Sequence, residues 1–151
     1  MSASPSLREQ IVINTATILS QRADPGFVLV TREPFDVAEL AITQFPSILI
    51  SFNSETRETV SMGAPAVGRR AGEITLDLRV FLRGNELDKK RNAAIAAVED
   101  ALESDRYLDL RSSGVLDSQI TTIETQDRQP PLAEVLMSFV VSYNYLRGSQ
   151  A

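Results

Sequence analysis

Two adjacent arginines in a glycine-rich stretch are the residues of this sequence best suited to binding chemistry. The segment GAPAVGRRAG, residues 63–72, carries Arg69 and Arg70 among side chains of little bulk. A guanidinium is a planar fork that donates two parallel hydrogen bonds to a carboxylate or a phosphate. The segment lacks the Lys-Ser/Thr ending of a P-loop and the glycine spacing of a dinucleotide fingerprint. It therefore predicts a flexible loop over 63–72, either solvated or in contact with an anionic partner.

Four carboxylates form a second group of candidate functional residues: Glu99, Asp100, Glu103 and Asp105. They lie at the end of a predicted amphipathic helix, where outward-facing charges are normally solvated. No glycine-bearing calcium loop surrounds them. We therefore expect no metal site here.

The residue types that the chain lacks exclude much catalytic chemistry. It contains no cysteine and no histidine, so it has no disulfide, thiolate nucleophile, Cys/His zinc site or catalytic imidazole. Serine, lysine and tyrosine are present, but no motif singles out a reactive one. We expect no catalytic residues and no cofactor.

Length and charge narrow the class of protein further. With 151 residues and 43% hydrophobic residues, the chain has the length of one domain, 1–151, with its own core. Its net charge of −5 argues against a broad basic surface that grips DNA. No apolar run approaches the ~20 residues of a membrane span, and the first residues do not resemble a signal peptide. We expect a soluble, unprocessed protein with loose ends at 1–5 and 147–151.

Hydrophobic periodicity predicts two helices. The first spans 6–22 and opens with a capping box, Ser6 followed by Glu9. The second runs from about 87 to 104, after a break at Gly84 and Asn85. The predicted apolar stripes are Leu7, Ile11, Val12, Ile18 and Leu19, with Ala16 between them, and Leu87, Ala94, Ile95, Val98, Ala101 and Leu102.

The remaining segments predict strands joined by short connections. Their ranges are 27–31, 45–52, 73–83, 118–126 and 132–146, with a weakly alternating polar ribbon at 54–62. Short connections favour antiparallel pairing. The predicted fold class is α+β, a largely antiparallel β-sheet with two α-helices packed on one face.

Alternation assigns faces within the two longest strands. In 73–83 the aliphatic residues share one face, and Arg79 lies on the other. In 132–146, Tyr143 and Tyr145 stack along one face, as core or interface aromatics do. The fifteen residues of this last strand would reach ~50 Å, which predicts that part of it projects or pairs with another chain.

The layout as a whole resembles the small minor tail proteins of tailed bacteriophages, in particular the tail terminator family. The segments that carry the resemblance are LREQIVINTATIL, EITLDLRVFLRG, LDKKRNAAIAAVEDALESDRYLDL and ITTIETQDRQPPLAEVLMSFVVSYNYL. Together they cover nearly the full length, and the C-terminal third is the most telling portion. No catalytic signature defines that family.

The resemblance implies a non-enzymatic virion protein that assembles in the host cytoplasm as a homohexameric ring. The ring would cap the tail tube protein at the head-proximal end, stop tube growth and present a surface to the head-tail connector protein. In a contractile tail it would also contact the sheath protein. DNA would be only passing cargo in the lumen, and no membrane is involved.

A ring needs two different complementary patches on each subunit. The final strand and the ribbon 54–62 are the candidates for pairing between neighbours, and the 63–72 loop would become ordered on assembly. The candidate assembly contacts are Arg57, Arg69, Arg70, Arg79, Tyr143 and Tyr145. Two alternatives stay open: another head-tail connector, completion or tail tube protein, and a small α+β ligand-binding regulator or enzyme that uses Arg69 and Arg70.

Overall fold

The computed structural model describes residues 6–24, 26–36, 39–59, 69–126 and 128–146. Within these ranges it contains two α-helices and five strands, together with short 3-10 turns. The helices are α1 (Leu7–Arg22) and α2 (Leu87–Glu103). The strands are β1 (Leu29–Thr31), β2 (Ser47–Thr59), β3 (Arg69–Arg83), β4 (Val115–Gln126) and β5 (Leu132–Leu146).

The five strands form one sheet in the order β1-β2-β3-β5-β4. β1 and β2 are parallel, and the other three pairs are antiparallel. Apolar residues of both helices join one face of the sheet in a single core cluster. The predicted fold class, an α+β fold with a largely antiparallel sheet and two helices on one face, is confirmed.

Helix α1 begins as the capping pattern predicts. The Ser6 hydroxyl accepts a hydrogen bond from the Glu9 backbone N–H at 3.2 Å, which satisfies a donor that the first helical turn leaves free. Each member of the predicted stripe is buried, and Thr15 joins them. The Thr15 hydroxyl donates to the Ile11 carbonyl oxygen at 2.7 Å, so this buried polar group has a partner.

The core face of the sheet follows the predicted alternation, with one exception on the opposite face. The aliphatic residues of β3 and the alternate residues of β5 from Val135 to Tyr143 are buried. Phe81 faces the other way, yet it is 3% exposed. The Phe35 ring contacts it edge-on at 5.3 Å between centroids, and the Arg128 guanidinium lies 5.6 Å from its centroid. These contacts keep water from one part of the second face.

Strand β5 lies in the interior of the sheet, so the predicted projection of this strand is wrong. All of its residues pair with β3, from Leu132 opposite Arg83 to Leu146 opposite Arg69. Residues 134–143 also pair with β4 on the other side. A long strand needs no second chain when its neighbour is equally long, and β3 begins at Arg69 rather than at the predicted residue 73.

The early start of β3 also corrects the predicted loop over 63–72. Arg69 and Arg70 lie in β3, where Arg70 pairs with Thr59 of β2 and with Tyr145 of β5. A strand held on both sides satisfies its backbone hydrogen-bonding groups in the sheet. Residues 63–68 and the predicted loose ends 1–5 and 147–151 lie outside the described residues. Of the predicted ribbon, 54–59 form the end of β2, and 60–62 lie outside that description.

Candidate functional site

A charged cluster lies at one end of the core face, where β2, β3, β5 and α1 meet. It consists of Arg8 of α1, Glu55 and Arg57 of β2, and Tyr143 of β5. Arg57 lies opposite Gly72 of β3, which in turn lies opposite Tyr143. The four side chains therefore come from segments that are far apart in the sequence.

A bulge in β2 directs Glu55 and Arg57 towards this face. Phe52 pairs with Leu76, but Ser54 pairs with Thr75, so Asn53 is one extra residue. An extra residue shifts the parity of every side chain beyond it. Without the bulge, the alternation that buries Ile48 and Ile50 would direct Glu55 away from the core. Sequence reasoning missed Glu55 for this reason.

The carboxylate of Glu55 accepts hydrogen bonds from three side chains. Arg8 is bidentate, with Nε 2.6 Å from Oε1 and Nη2 3.1 Å from Oε2. Arg57 Nε donates to Oε2 at 2.6 Å, and the Tyr143 hydroxyl donates to the same oxygen at 2.7 Å. The Glu55 side chain is 9% exposed. Buried charge is tolerated because both oxygens are paired.

The cluster shifts the pKa values of its members. Burial by itself raises the pKa of Glu55, but the hydrogen bonds from Arg8, Tyr143 and Arg57 outweigh it and lower the pKa from 4.5 to about 2. Burial and the hydrogen bond to Glu55 raise the pKa of Tyr143 to about 12. The hydrogen bond to Glu55 also raises the pKa of Arg8. At neutral pH the carboxylate is therefore ionised and the phenol is neutral.

Gly72 allows the Tyr143 ring to cross β3. A Cβ at this position would overlap Cζ, the hydroxyl oxygen and Cε1 of Tyr143. Only glycine leaves that space open, so the ring can reach over β3 and its hydroxyl can bond Glu55 on β2. At Gly72 the glycine-rich segment thus serves a close approach of a side chain within a sheet.

A second carboxylate is held by two arginines on the opposite face of the sheet. Glu134 of β5 is 3% exposed. Its Oε1 lies 2.8 Å from Nε and 2.8 Å from Nη2 of Arg128, and its Oε2 lies 3.6 Å from Nη1 of Arg79. Arg128 also lies over Phe81. The pair fastens the segment before β5 onto the sheet.

The structure brings together only some of the predicted contact residues. Arg57 and Tyr143 share the Glu55 cluster, whereas Arg79 lies on the other face beside Glu134. Tyr143 is fully buried, so it offers no surface to a neighbour, contrary to its place among the predicted contacts; the reason is its hydrogen bond to Glu55 inside the subunit.

Three other predicted contacts have described strand positions only. Arg69 and Arg70 lie at the start of β3, and Tyr145 lies beside Arg70 on β5. Their side chains are outside the described part of the structure. Arg8 was expected to stay in water and instead binds Glu55, a contact between residues 47 positions apart that no local pattern indicates.

The two outer strands leave sheet edges uncovered within the described ranges. β1 pairs with β2 only at residues 47–49, and no described strand lies beside the rest of β2 or outside β4. Phe52 on β2 is 51% exposed, and Leu116 and Ile123 on β4 are 49% and 43% exposed. Exposed apolar side chains on open edges are typical of surfaces that pair with another chain.

The carboxylates near the end of α2 do not form a metal centre in the described part of the chain. No group of three or more acidic side chains there is placed to hold an ion. Asp105 accepts from the backbone N–H groups of Tyr107 at 3.1 Å and Asp109 at 2.7 Å, and it therefore stabilises the turn after α2. None of the described helices has the length and apolar character needed to cross a membrane.

Alkaline pH is expected to weaken the fold through Tyr143. Its folded pKa of about 12 lies above the ordinary value of 10.0, so its contribution to stability is complete below about pH 10 and is lost as the pH rises to about 12. Urea denaturation over this range should show the loss in the wild type and in Tyr107→Phe, but not in Tyr143→Phe. Equal losses in all three proteins would contradict the assignment.

Neither a protein-family model nor a curated protein matches this chain. Among solved structures, the chain is similar to one described as the virion of a native gene transfer agent (GTA) particle. The identity is 15% and the TM-score 0.49, over 93% of this chain and 96% of that chain. No function follows from a similarity at this level.

Proposed function

We propose that the protein is a structural component of a phage-type virion and acts as a tail terminator. In this role it forms a ring at the head-proximal end of the tail, caps the tail tube protein and stops its polymerisation. The ring then provides the surface for the head-tail connector protein and, in a contractile tail, for the sheath protein. Two findings support the proposal: the resemblance of the sequence segments, and the pair of open sheet edges.

The open edges carry the proposal because their directions are compatible. Three successive antiparallel pairings, β2 with β3, β3 with β5 and β5 with β4, make β2 and β4 run in opposite directions. The outer edge of β4 in one copy can therefore pair antiparallel with the outer edge of β2 in the next. Such a contact joins two different patches head to tail, and it closes into a ring when the rotation between copies completes a turn.

The charged clusters support a structural rather than a catalytic role. The Glu55 carboxylate is saturated by its donors, and its pKa of about 2 is far from the range that suits a general base at neutral pH. Glu134 is likewise bound by Arg128. Both carboxylates fasten segments of the subunit to the sheet, and we propose that the protein has no enzymatic activity.

A tail tube or head-completion protein is the second candidate, because the same edge pairing would also suit it. Electron microscopy separates the two roles. A terminator caps tubes and limits their length, whereas a tube protein polymerises by itself. The regulator or enzyme alternative has less support, since the backbones of Arg69 and Arg70 are held in β3 by strands on both sides.

Replacing Ile123 with lysine is expected to abolish ring formation and leave the subunit folded. The change places a charge on the edge where the neighbouring strand must pair. The matched control is Ile13→Lys, because Ile13 is 41% exposed but lies on α1. Size-exclusion chromatography with light scattering measures the assembly state, and circular dichroism measures the fold.

Addition of each variant to polymerising tail tubes then tests the role itself. Wild type and Ile13→Lys should fix the tube length, and Ile123→Lys should not. A wild-type protein that stays monomeric at high concentration, or rings that persist in Ile123→Lys, would contradict the proposal.

A further inference from the structure

An apolar cavity of about 270 Å³ opens between α2 and the adjacent ends of β2 and β3. Its wall is formed by Phe27, by Phe45 and Pro46 just before β2, by Leu82 at the end of β3, and by Ala94 of α2. The volume is below the roughly 300–1,000 Å³ of pockets that enclose a drug-sized molecule. A single bulky side chain fits it better than a cofactor does.

Two cations line the same cavity. Arg83 ends β3, and Lys90 lies in the first turns of α2. The Lys90 ammonium donates to the Arg83 carbonyl oxygen at 3.3 Å, which places it beside the guanidinium's own residue. Within the described ranges, neither side chain has a carboxylate at ion-pair distance, although Arg8, Arg32, Arg79 and Arg128 all have one.

Unneutralised cations beside an apolar cavity select a particular ligand chemistry. The apolar wall favours an aromatic or aliphatic group, and the two cations favour an anion directly next to it. Arg83 can bind a carboxylate through two parallel hydrogen bonds, and Lys90 adds a point charge. In a chain with a net charge of −5, this local excess of positive charge is a specific feature of the surface.

We propose that this cavity is a docking site for a partner polypeptide that presents a bulky apolar side chain next to a carboxylate. The apolar side chain enters the cavity, and the carboxylate binds Arg83 and Lys90. The site is separate from the sheet edges that would form the ring, so it does not depend on the proposed assembly.

N-acetylphenylalanine is a suitable probe, because it carries one aromatic side chain beside one carboxylate. N-acetylphenylalanine amide is the matched ligand without the charge. Saturation-transfer NMR, which observes the ligand, works on the full-length protein in any assembly state. The wild type is expected to bind the acid saturably and the amide several-fold more weakly.

Variants locate the binding. Ala93 lines the cavity and is exposed, so Ala93→Trp should fill the opening and abolish the transfer. Lys90→Gln should weaken binding several-fold, whereas Lys89→Gln, the same change one residue away and outside the lining, should bind as the wild type does. Ile123→Lys should also bind normally, which separates this test from that of the ring.

The comparison of acid and amide needs only wild-type protein, so the proposal remains testable if a variant fails to fold. Absence of transfer to the acid, equal binding of acid and amide, or unchanged binding in a folded Ala93→Trp would overturn the proposal. Decanoate, a fatty acid with the same charge, tests the other occupant. Tighter binding of decanoate than of N-acetylphenylalanine would show a lipid-like ligand and would also overturn it.

Discussion

Replacing Gly72 with alanine is expected to lower the free energy of unfolding by about 1–3 kcal/mol, the usual cost of overpacking a core. The new methyl group would overlap the Tyr143 ring. That ring is fully buried and is held by the hydrogen bond of its hydroxyl to Glu55. It can move aside only by breaking this bond and disturbing the core.

The expected sign is opposite to that of an ordinary substitution. A glycine without a positive φ normally tolerates alanine, which stabilises by reducing the entropy of the unfolded chain. Gly26→Ala is the matched control, because a Cβ there would meet only the Ala23 carbonyl oxygen at 3.7 Å. Urea denaturation should show a neutral or stabilising effect at residue 26 and a loss at residue 72.

A double-mutant cycle identifies the cause of the loss. If the clash with the ring is responsible, Gly72→Ala should cost little in a Tyr143→Leu background. An equal cost in both backgrounds would show that the methyl group acts elsewhere, and it would contradict the explanation given for this glycine.

Replacing Glu55 with glutamine is expected to destabilise the fold by about 2 kcal/mol at neutral pH, a value discounted for solvent screening. Arg8 and Arg57 are 41% and 34% exposed in their side chains, so water screens part of their attraction to the carboxylate. The amide keeps the shape and one acceptor oxygen but loses the charge. The two guanidinium groups then lie close together without a shared anion.

The pH dependence of this effect has a definite sign. The folded pKa of Glu55, about 2, lies below its model value of 4.5, so the carboxylate's contribution is complete above about pH 4.5 and is lost as the pH falls to about 2. The difference in stability between the wild type and Glu55→Gln should therefore shrink over this range.

An exposed glutamate on the same sheet provides the control. Glu73 of β3 is exposed and has no ion pair among those within the described ranges, so Glu73→Gln should leave the acid dependence unchanged. Denaturation curves at intervals from pH 7 to pH 2 measure all three proteins. A constant difference between wild type and Glu55→Gln would show that the charge of Glu55 does not stabilise the fold.

Local patterns were sufficient to predict most of the elements. The Ser6 cap and the apolar stripe predicted α1, and the alternation in β3 and β5 predicted which of their residues are buried. These predictions hold because helix periodicity and strand alternation depend on backbone geometry within a few residues. The fold class followed from the order of the elements and the short connections between them.

The candidate site was less predictable, because it depends on contacts between distant parts of the chain. Sequence reasoning selected Arg57 and Tyr143 but not their shared partner Glu55. A single inserted residue at Asn53 reverses the direction of Glu55, and alternation counted along the sequence cannot reveal it. The Arg8 contact requires α1 to pack over the end of β2.

The sequence by itself determined the two helices, the buried faces of β3 and β5, and the resemblance on which the proposed role in a phage tail is based. The tertiary structure decided that β5 is an interior strand, that Gly72 lies under Tyr143, and that β2 and β4 present the open edges. The physical reason is that alternation assigns a residue to a face, whereas its neighbours across the sheet are chosen by long-range pairing, in which register and bulges decide which side chains meet.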